Sequence, residues 1–193
     1  MCIDISMRCD GRSDCADESD EKNCNLVFID KDKYRKESIP KLIGGDAQLN
    51  VWVEIDVFGI SAIRELKGDF KIDFSLGLTW YDSRLTFQNL KASSNIVNRE
   101  VGAELWRPPI MFQKAIDKRE INMEYDEHAY MVVLKETSGS PNDESFVHEG
   151  FVYHGSKNRL GYHRRFLITH SCKFVLTFYP FDTQHCTLEV CTN

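Results

Sequence analysis

The sequence predicts an all-β domain, a β-sandwich, that follows a small cysteine-rich module at the N-terminus. Three observations predict this class. Apolar and polar residues alternate at period two along several segments, turn-forming residues separate these segments, and no long helical period occurs after residue 50. The 193 residues suffice for one medium-sized domain and one small module.

The first two strands carry the clearest alternation. Val51, Val53, Ile55 and Val57 alternate with Asn50, Trp52, Glu54 and Asp56, and the run from 70 to 80 repeats the period-two pattern. Strands of this kind have one buried face and one wetter face. Further strand-like runs lie at 151–153, 160–169, 174–178 and 187–191. Between residues 25 and 48 the chain is mixed and charged, and we interpret it as a linker with a short helix.

Composition restricts the compartment and the function. The net charge is -6 and no run of Lys or Arg stands out, which argues against nucleic-acid binding. Seven cysteines, several closely spaced, indicate an oxidising environment. The sequence contains neither a signal peptide nor an apolar run of the ~18 residues that a membrane helix needs. We therefore expect an extracellular fragment that lacks its true start and its end.

Enzyme motifs are missing as well. The six histidines have no helix-spaced metal pattern, and neither a Gly-x-Ser-x-Gly element nor a phosphate-binding loop occurs. We therefore predict that the protein is not an enzyme.

The N-terminal module, residues 1–24, combines cysteines with many acidic residues. So few apolar side chains cannot form a core, so disulfides and a metal ion have to stabilise it. Residues 9–21 resemble the second half of an LDL-receptor class A repeat, a family that binds one Ca²⁺ ion. Hard oxygen ligands at short spacing suit calcium chemically. The resemblance implies side-chain ligands at Asp10, Asp14, Asp20 and Glu21, and carbonyl ligands at Met7 and Arg12.

The cysteines of this module depart from the family pattern. The resemblance implies a Cys9–Cys24 disulfide, but the first two of the six family cysteines are absent. Cys2 and Cys15 would then be free thiols or form a non-native pair. A solvated acidic loop with incidental cysteines is the alternative.

The segment 172–186 is the most informative part of the chain. Cys172 and Cys186 bracket an apolar stretch that carries Tyr179-Pro180 and then Asp182. A bridge across this span would stabilise the fold by about 3 kcal/mol through the unfolded state. The segment resembles the signature loop of the Cys-loop receptors, the pentameric ligand-gated ion channels. The alternative is an ordinary hairpin closed by a disulfide.

Other landmarks support the resemblance over about residues 26–193. They are Trp80, Asp82, Arg84 and Leu85 in a Trp-x-Asp-x-Arg-Leu element, and Trp106 and Pro108 in a Trp-x-Pro element. The resemblance implies an immunoglobulin-like β-sandwich, a truncated ligand-binding domain at 49–193, and a Cys172–Cys186 disulfide. Its coupling tip would be Tyr179, Pro180, Phe181 and Asp182, which relay agonist binding to a pore.

The family binds its agonist between two subunits in an aromatic cage. The resemblance places Gln113 and Ser75 where the family has aromatics, so we expect an unusual agonist rather than acetylcholine. His163 and Arg165 would face the pocket from the strand before the signature loop. Arg165 matches an arginine that some members use to hold a carboxylate. For Gln113, His163 and Arg165, ordinary surface polarity is the alternative.

The resemblance implies a neurotransmitter-like small-molecule agonist, other subunits of a pentamer, and membrane attachment through helices beyond residue 193. It also implies that the protein is located at the extracellular face of the cell membrane, such as the postsynaptic membrane. Cys191, on the opposite strand face from Cys186, is expected to be a buried free thiol. Two other readings remain open, namely a secreted soluble binding protein of the same fold and an adhesion or lipoprotein-type module.

Overall fold

The computed structural model describes residues 7, 9, 12–41, 48–92, 95–116, 129–137, 140–141 and 151–192. In the described residues, strands far outnumber helices among the regular elements. Within these ranges the helices are a 3-10 turn, Ser19–Glu21, and α1, Arg99–Glu104. The strands are β1 Val27–Ile29, β2 Val51–Arg64, β3 Asp69–Trp80, β4 Leu85–Phe87, β5 Asn95–Val97, β6 Ile110–Gln113, β7 Tyr130–Val133, β8 Ser140–Pro141, β9 Phe151–His154, β10 Leu160–Ser171 and β11 Glu189–Thr192.

The strands form sheets with many non-sequential neighbours. One sheet has the order β1-β4-β9-β8, another has β2-β3-β10-β7-β5, and β11 pairs with β6. The pairs β1–β4, β5–β7 and β6–β11 are antiparallel. This all-β architecture in several sheets confirms the fold class predicted from the alternating pattern.

The chain divides into two compact units. The first comprises residues 1–50, 79–106 and 131–161, and the second comprises 51–78, 107–130 and 162–193. In the first unit, Trp80 is fully buried and contacts Trp106 edge to face, with ring centroids 5.6 Å apart. Its other buried apolar residues are Val27, Tyr34, Leu85, Phe87, Leu90, Val97, Leu105, Met131, Val132, Val133, Tyr153 and Leu160.

A buried ion pair organises the same unit. Arg84 donates two hydrogen bonds to the carboxylate of Asp82, at 2.8 and 2.7 Å. The remaining guanidinium nitrogen donates to the carbonyls of Arg35 and Ser38. Burial opposes the charged form of Arg84, but the hydrogen bonds to Asp82 outweigh it and raise the pKa of Arg84. The Asp and Arg of the Trp-x-Asp-x-Arg-Leu element thus tie an N-terminal segment to the turn before β4.

The second unit has its own aromatic core. Phe74 is fully buried and contacts Phe112 and Phe166, each with ring centroids 5.6 Å away. Phe112 and Phe166 contact each other edge to face, with ring centroids 4.9 Å apart. Ile72, Leu76, Leu78 and Ile168 are also buried there. The even-numbered residues of β3 from Phe70 to Leu78 are buried in this unit, as the period-two pattern predicts.

Two local expectations are wrong. β2 forms as a strand, but from Trp52 to Arg64 every residue is exposed, because in the described part of the chain β2 is the edge of its sheet and nothing covers its apolar side. The run 174–178 is irregular and turning rather than a strand. Of the range 25–48, where a short helix is expected, the described residues 25–41 hold β1 and two turns; residues 42–47 lie outside the described residues, so the helix stays a prediction.

Candidate functional site

One polar face of the second unit is formed by odd-numbered residues of β3 and β10. The imidazole of His163 lies next to Gly77, where an added Cβ would come 3.0 Å from two ring atoms. The His163 ring also stacks on Tyr130, with centroids 5.1 Å apart and planes 12° from parallel. A side chain at position 77 would therefore crowd the imidazole.

Arg165 occupies the same face and is held by two partners. Its Nε and Nη2 atoms donate to the two oxygens of Asp73, at 2.8 and 2.6 Å. Its guanidinium carbon lies 4.5 Å from the ring centroid of Phe58 on β2. The hydrogen bonds from Arg165 lower the pKa of Asp73, and the same bonds raise the pKa of Arg165. Because the two side chains are 51% and 30% exposed, solvent screens the attraction.

Of the four residues proposed for agonist contact, the structure brings three together. Ser75 lies between Asp73 and Gly77 along β3, and its hydroxyl donates to Asp56 at 3.3 Å. Ser75, His163 and Arg165 thus share one face. Gln113 lies in the other sheet of this unit, the β6–β11 pair, where its amide contacts the Sγ of Cys191 at 3.1 Å. Cys191 is a free, half-buried thiol.

The signature segment is closed by a disulfide. Cys172 and Cys186 are bonded, with Cα atoms 5.5 Å apart, and the Tyr179–Pro180 peptide is cis. At the start of the loop, the Cys172 amide donates to the carbonyl of Gly68 at 2.9 Å. Gly68 has φ +67°, a left-handed conformation that favours glycine.

A glutamine braces this loop from within. The side-chain amide of Gln184 makes two hydrogen bonds to the backbone of Val175, both at 2.9 Å, and also donates to Asp182. The loop therefore has internal order without a regular strand. Its tip is open to solvent, with Phe178, Tyr179 and Phe181 exposed by 74%, 67% and 93%. Three adjacent exposed aromatic rings indicate a surface that meets another apolar surface.

The N-terminal repeat contains the Cys9–Cys24 disulfide, with Cα atoms 5.5 Å apart, and a free Cys15. Asp20 is 1% exposed and accepts a 2.6 Å hydrogen bond on Oδ2 from the Asp14 amide, which lowers its pKa. Within the described residues, its Oδ1 atom is buried without a hydrogen-bond partner. A buried, unpaired carboxylate oxygen fits a cation ligand.

The rest of the expected calcium set is not assembled in the described residues. There, groups of three or more His, Cys, Asp or Glu side chains that could hold a metal are absent. Asp10 and Cys2 lie outside the described residues. The calcium ligands therefore stay a prediction, with Asp20 as the residue whose environment supports it.

Sequence reasoning missed three residues of the polar face. Asp73, Phe58 and Tyr130 contact the predicted residues Arg165 and His163 directly. The signal for Asp73 was available, because it lies two residues before Ser75 and shares its face by the period of a strand. Phe58 and Tyr130 come from other strands, so strand pairing had to be known.

These features define a class of protein, an all-β extracellular-type binding domain with a disulfide-closed apolar loop and a small disulfide-bonded repeat. Residues 25–193 match the family model of the neurotransmitter-gated ion-channel ligand binding domain, and residues 1–24 match the low-density lipoprotein receptor domain class A. The chain belongs to the neurotransmitter-gated ion-channel ligand binding domain family and carries an LDL-receptor class A repeat ahead of it. This family is not an enzyme class.

Individual relatives agree with this assignment. The chain is similar to gamma-aminobutyric acid receptor subunit beta-4 of Gallus gallus, with 27% identity over 91% of the chain and 32% of that protein. It is 26% identical to gamma-aminobutyric acid receptor subunit rho-3 of Rattus norvegicus, over 76% of the chain and 27% of the relative. It is 27% identical to ligand-gated ion channel 50 of Caenorhabditis elegans, over 72% and 24%. The chain thus spans about a quarter to a third of these relatives.

Among the residues that the structure describes, helices long and apolar enough to cross a membrane are absent.

Proposed function

We propose that this chain is the extracellular agonist-binding part of a neurotransmitter-gated channel subunit, which works in a pentamer at the cell surface. Agonist binds between neighbouring subunits, and the 172–186 loop transmits binding to the pore. The observation that carries the proposal is the loop itself, a disulfide-closed segment that exposes three aromatic rings at its tip. Burial of such rings against a membrane domain removes apolar surface from water.

The face with Arg165 and His163 is the agonist surface that this subunit offers to its neighbour. Two relatives carry gamma-aminobutyric acid in their names, so the proposed agonist is a small amino acid with an ammonium and a carboxylate group. Asp73 already occupies two guanidinium nitrogens of Arg165. A carboxylate of the agonist has to share the guanidinium with Asp73 or displace it.

The acidic side chains of this face suit the other end of the agonist. Glu54 lies beside position 77, and Asp56 bonds to Ser75. Asp56 and Glu54 lie on the same face as the Arg165–Asp73 pair, so acidic groups outnumber the one arginine among these four side chains and favour an ammonium group. At this face carboxylates bind the ammonium group, whereas an aromatic cage does so where a quaternary amine is bound.

A secreted soluble binding protein of the same fold is the second candidate. Such a protein has no membrane domain to cover its loop, and its exposed tip would be expected to be polar. Phe181 is 93% exposed, which favours the channel.

The N-terminal repeat is proposed to bind one Ca²⁺ ion. Asp14, Asp20 and Glu21 would be its described side-chain ligands, with Asp10 and the carbonyls of Met7 and Arg12 completing the set. The buried Oδ1 of Asp20 supports this assignment. An ion there would neutralise the acidic segment and hold a repeat that has too small a core to be stable alone.

Loop coupling can be tested in the channel subunit that contains this domain. Phe181→Ser at the tip is expected to leave agonist binding unchanged and to reduce the maximal agonist-evoked current, measured under voltage clamp with surface expression quantified. Phe151→Ser is the matched control, because Phe151 is 49% exposed on β9 and belongs to the first unit. Equal currents for the two variants would contradict the coupling role of the loop.

A further inference from the structure

The N-terminal repeat is joined to the ligand-binding domain with almost no intervening chain. Cys24 closes the repeat, and β1 begins at Val27, which pairs with Phe87 of β4. Only two residues, Asn25 and Leu26, lie between them, and the Gln88 amide donates to the Leu26 carbonyl at 3.0 Å. The repeat therefore starts where the β1–β4 ladder ends, which leaves no length for a flexible tether.

Beyond the β1–β4 ladder, side chains of the segment after β4 donate hydrogen bonds to the backbone of the repeat and of the residues that follow it. The amide of Asn89 donates to the carbonyls of Asn23 and Asn25, at 3.0 and 3.3 Å. Asn89 has φ 55°, and asparagine tolerates this left-handed conformation better than most residues. Two positions further on, the Nζ of Lys91 donates to the carbonyl of Cys9 at 3.0 Å.

Lys91 connects the repeat with the interior of the first unit. Its amide donates to Oδ1 of Asn95 at 2.7 Å, and its carbonyl accepts from Nδ2 of Asn95 at 3.1 Å. Asn95 is 3% exposed and also donates to the Val133 carbonyl in β7. The chain of contacts thus runs from the repeat through Lys91 to the β5–β7 pair.

On the repeat side, the same contacts lead to the proposed metal ligand. Cys9 accepts from Lys91 through its carbonyl, and its amide donates to the carbonyl of Asp20 at 3.1 Å. Asp20 carries the buried Oδ1 atom without a partner among the described residues. Ordering of Asp20 therefore also affects Cys9, the residue whose carbonyl accepts the hydrogen bond from Lys91.

Polar contacts rather than apolar packing hold this junction. A cleft of about 410 Å³ lies between the end of the repeat and α1, lined by Glu21, Cys24, Val27, Ile96, Asn98 and Val101 among others. Beside this cleft, the side-chain hydrogen bonds of Asn89 and Lys91 attach the repeat to the domain.

We propose that Asn89 and Lys91 clamp the repeat onto the ligand-binding domain, and that calcium in the repeat stabilises β5 through this clamp. The repeat is then held in a fixed position on the domain, and Ca²⁺ binding to the repeat changes the stability of β5. The calcium part depends on the metal proposed above, whereas the clamp does not.

Hydrogen exchange of the full chain, followed by mass spectrometry, tests both parts. Asn89→Gly retains the left-handed backbone and removes both amide bonds, and Lys91→Met retains the length of the side chain and removes the ammonium. Lys157→Met is the matched control, an exposed lysine of the same unit. We expect faster exchange over residues 12–24 in the two clamp variants than in the control. Exchange equal to the control in both would overturn the clamp.

The proposed effect of calcium on β5 is tested with Ca²⁺ alone as the probe. In the wild type, chelation is expected to speed exchange at 95–97 by about 5-fold or more, the lower end of typical coupling between sites. Lys91→Met should still bind Ca²⁺ by titration calorimetry but lose this response. A wild type that binds no Ca²⁺ would overturn the metal site, and a response that survives in Lys91→Met would overturn its transmission through the clamp.

Discussion

Arg165 and Asp73 are joined by two parallel hydrogen bonds across β10 and β3, and Phe58 covers the guanidinium. The arginine that the family resemblance assigns to a carboxylate ligand is therefore already bound to a carboxylate of its own chain. This pair sets the local charge of the proposed agonist surface, because it leaves Asp56 and Glu54 as further acidic groups on the same face.

Replacement of Asp73 should change agonist preference. Asp73→Asn releases the guanidinium of Arg165, so agonists with a carboxylate should become about 2- to 5-fold more potent, the range for an exposed ion pair. Concentration–response curves for γ-aminobutyrate under voltage clamp measure this. Asp56→Asn is the control, because Asp56 bonds to Ser75. The same gain in both variants would indicate a general charge effect and contradict the role of the pair.

The Arg165–Asp73 pair should also depend on pH in a defined window. Its hydrogen bonds lower the pKa of Asp73 from the ordinary 3.8. The stabilisation by the pair is therefore complete above that value and is lost as the pH falls through the lowered pKa. Titration of the Asp73 carboxyl by NMR should give a pKa below 3.8 in the wild type. Arg165→Met should return it toward the ordinary value, and no difference between the two would contradict the pairing.

The buried pair of the first unit should matter far more for stability. Arg84→Met leaves the buried Asp82 charge without its partner, and we expect a loss of about 3–5 kcal/mol in the free energy of unfolding. Urea denaturation measures it. Lys33→Met breaks an exposed pair with Asp30 and should cost less than about 1 kcal/mol. Similar losses for both would contradict the structural role of Asp82 and Arg84.

Gly155 should not tolerate a side chain. An added Cβ would lie 2.2 Å from the carbonyl oxygen of Asp82 and 3.0 Å from that of Leu85, so the backbone has to move. We expect Gly155→Ala to cost at least about 2 kcal/mol. Gly59→Ala is the control, because nothing lies within 4 Å of its added Cβ. Unfolding midpoints that match for the two variants would show that the turn can adapt.

Replacement of a disulfide-bonded cysteine and replacement of a free cysteine should have different effects on stability. Cys186→Ser opens a loop with a sequence separation of 14 and should destabilise the second unit by about 3 kcal/mol. Cys191→Ser removes a free thiol from the following strand and should have little effect. The prediction is wrong if calorimetry gives the same melting temperature for the two variants.

The sequence predicted the sheet-rich fold because alternation directly encodes which strand face is buried, as in β3. Motif order singled out Ser75, His163 and Arg165, which share one face of the structure, while their role in agonist binding stays a prediction. It missed the partner of Arg165, because that contact depends on how β3 and β10 pair. It was wrong about 174–178, where apolar residues form an exposed loop braced by Gln184, since period and hydrophobicity alone do not tell a buried strand from an apolar loop.

The prediction that one face of β2 is buried was wrong for a related reason. Val53, Ile55 and Val57 alternate as they would in a half-buried strand, and the strand forms, but these side chains are 42–54% exposed. Periodicity predicts that a face is apolar and does not say what covers it.

The most direct measurement for the central claim is voltage clamp of cells that express the channel subunit containing this domain, with γ-aminobutyrate applied at increasing concentration. The account predicts a saturable current that Cys186→Ser abolishes at unchanged surface expression and that Cys191→Ser leaves intact. Saturable agonist binding without any current in the wild type, or a current that persists unchanged in Cys186→Ser, would contradict it.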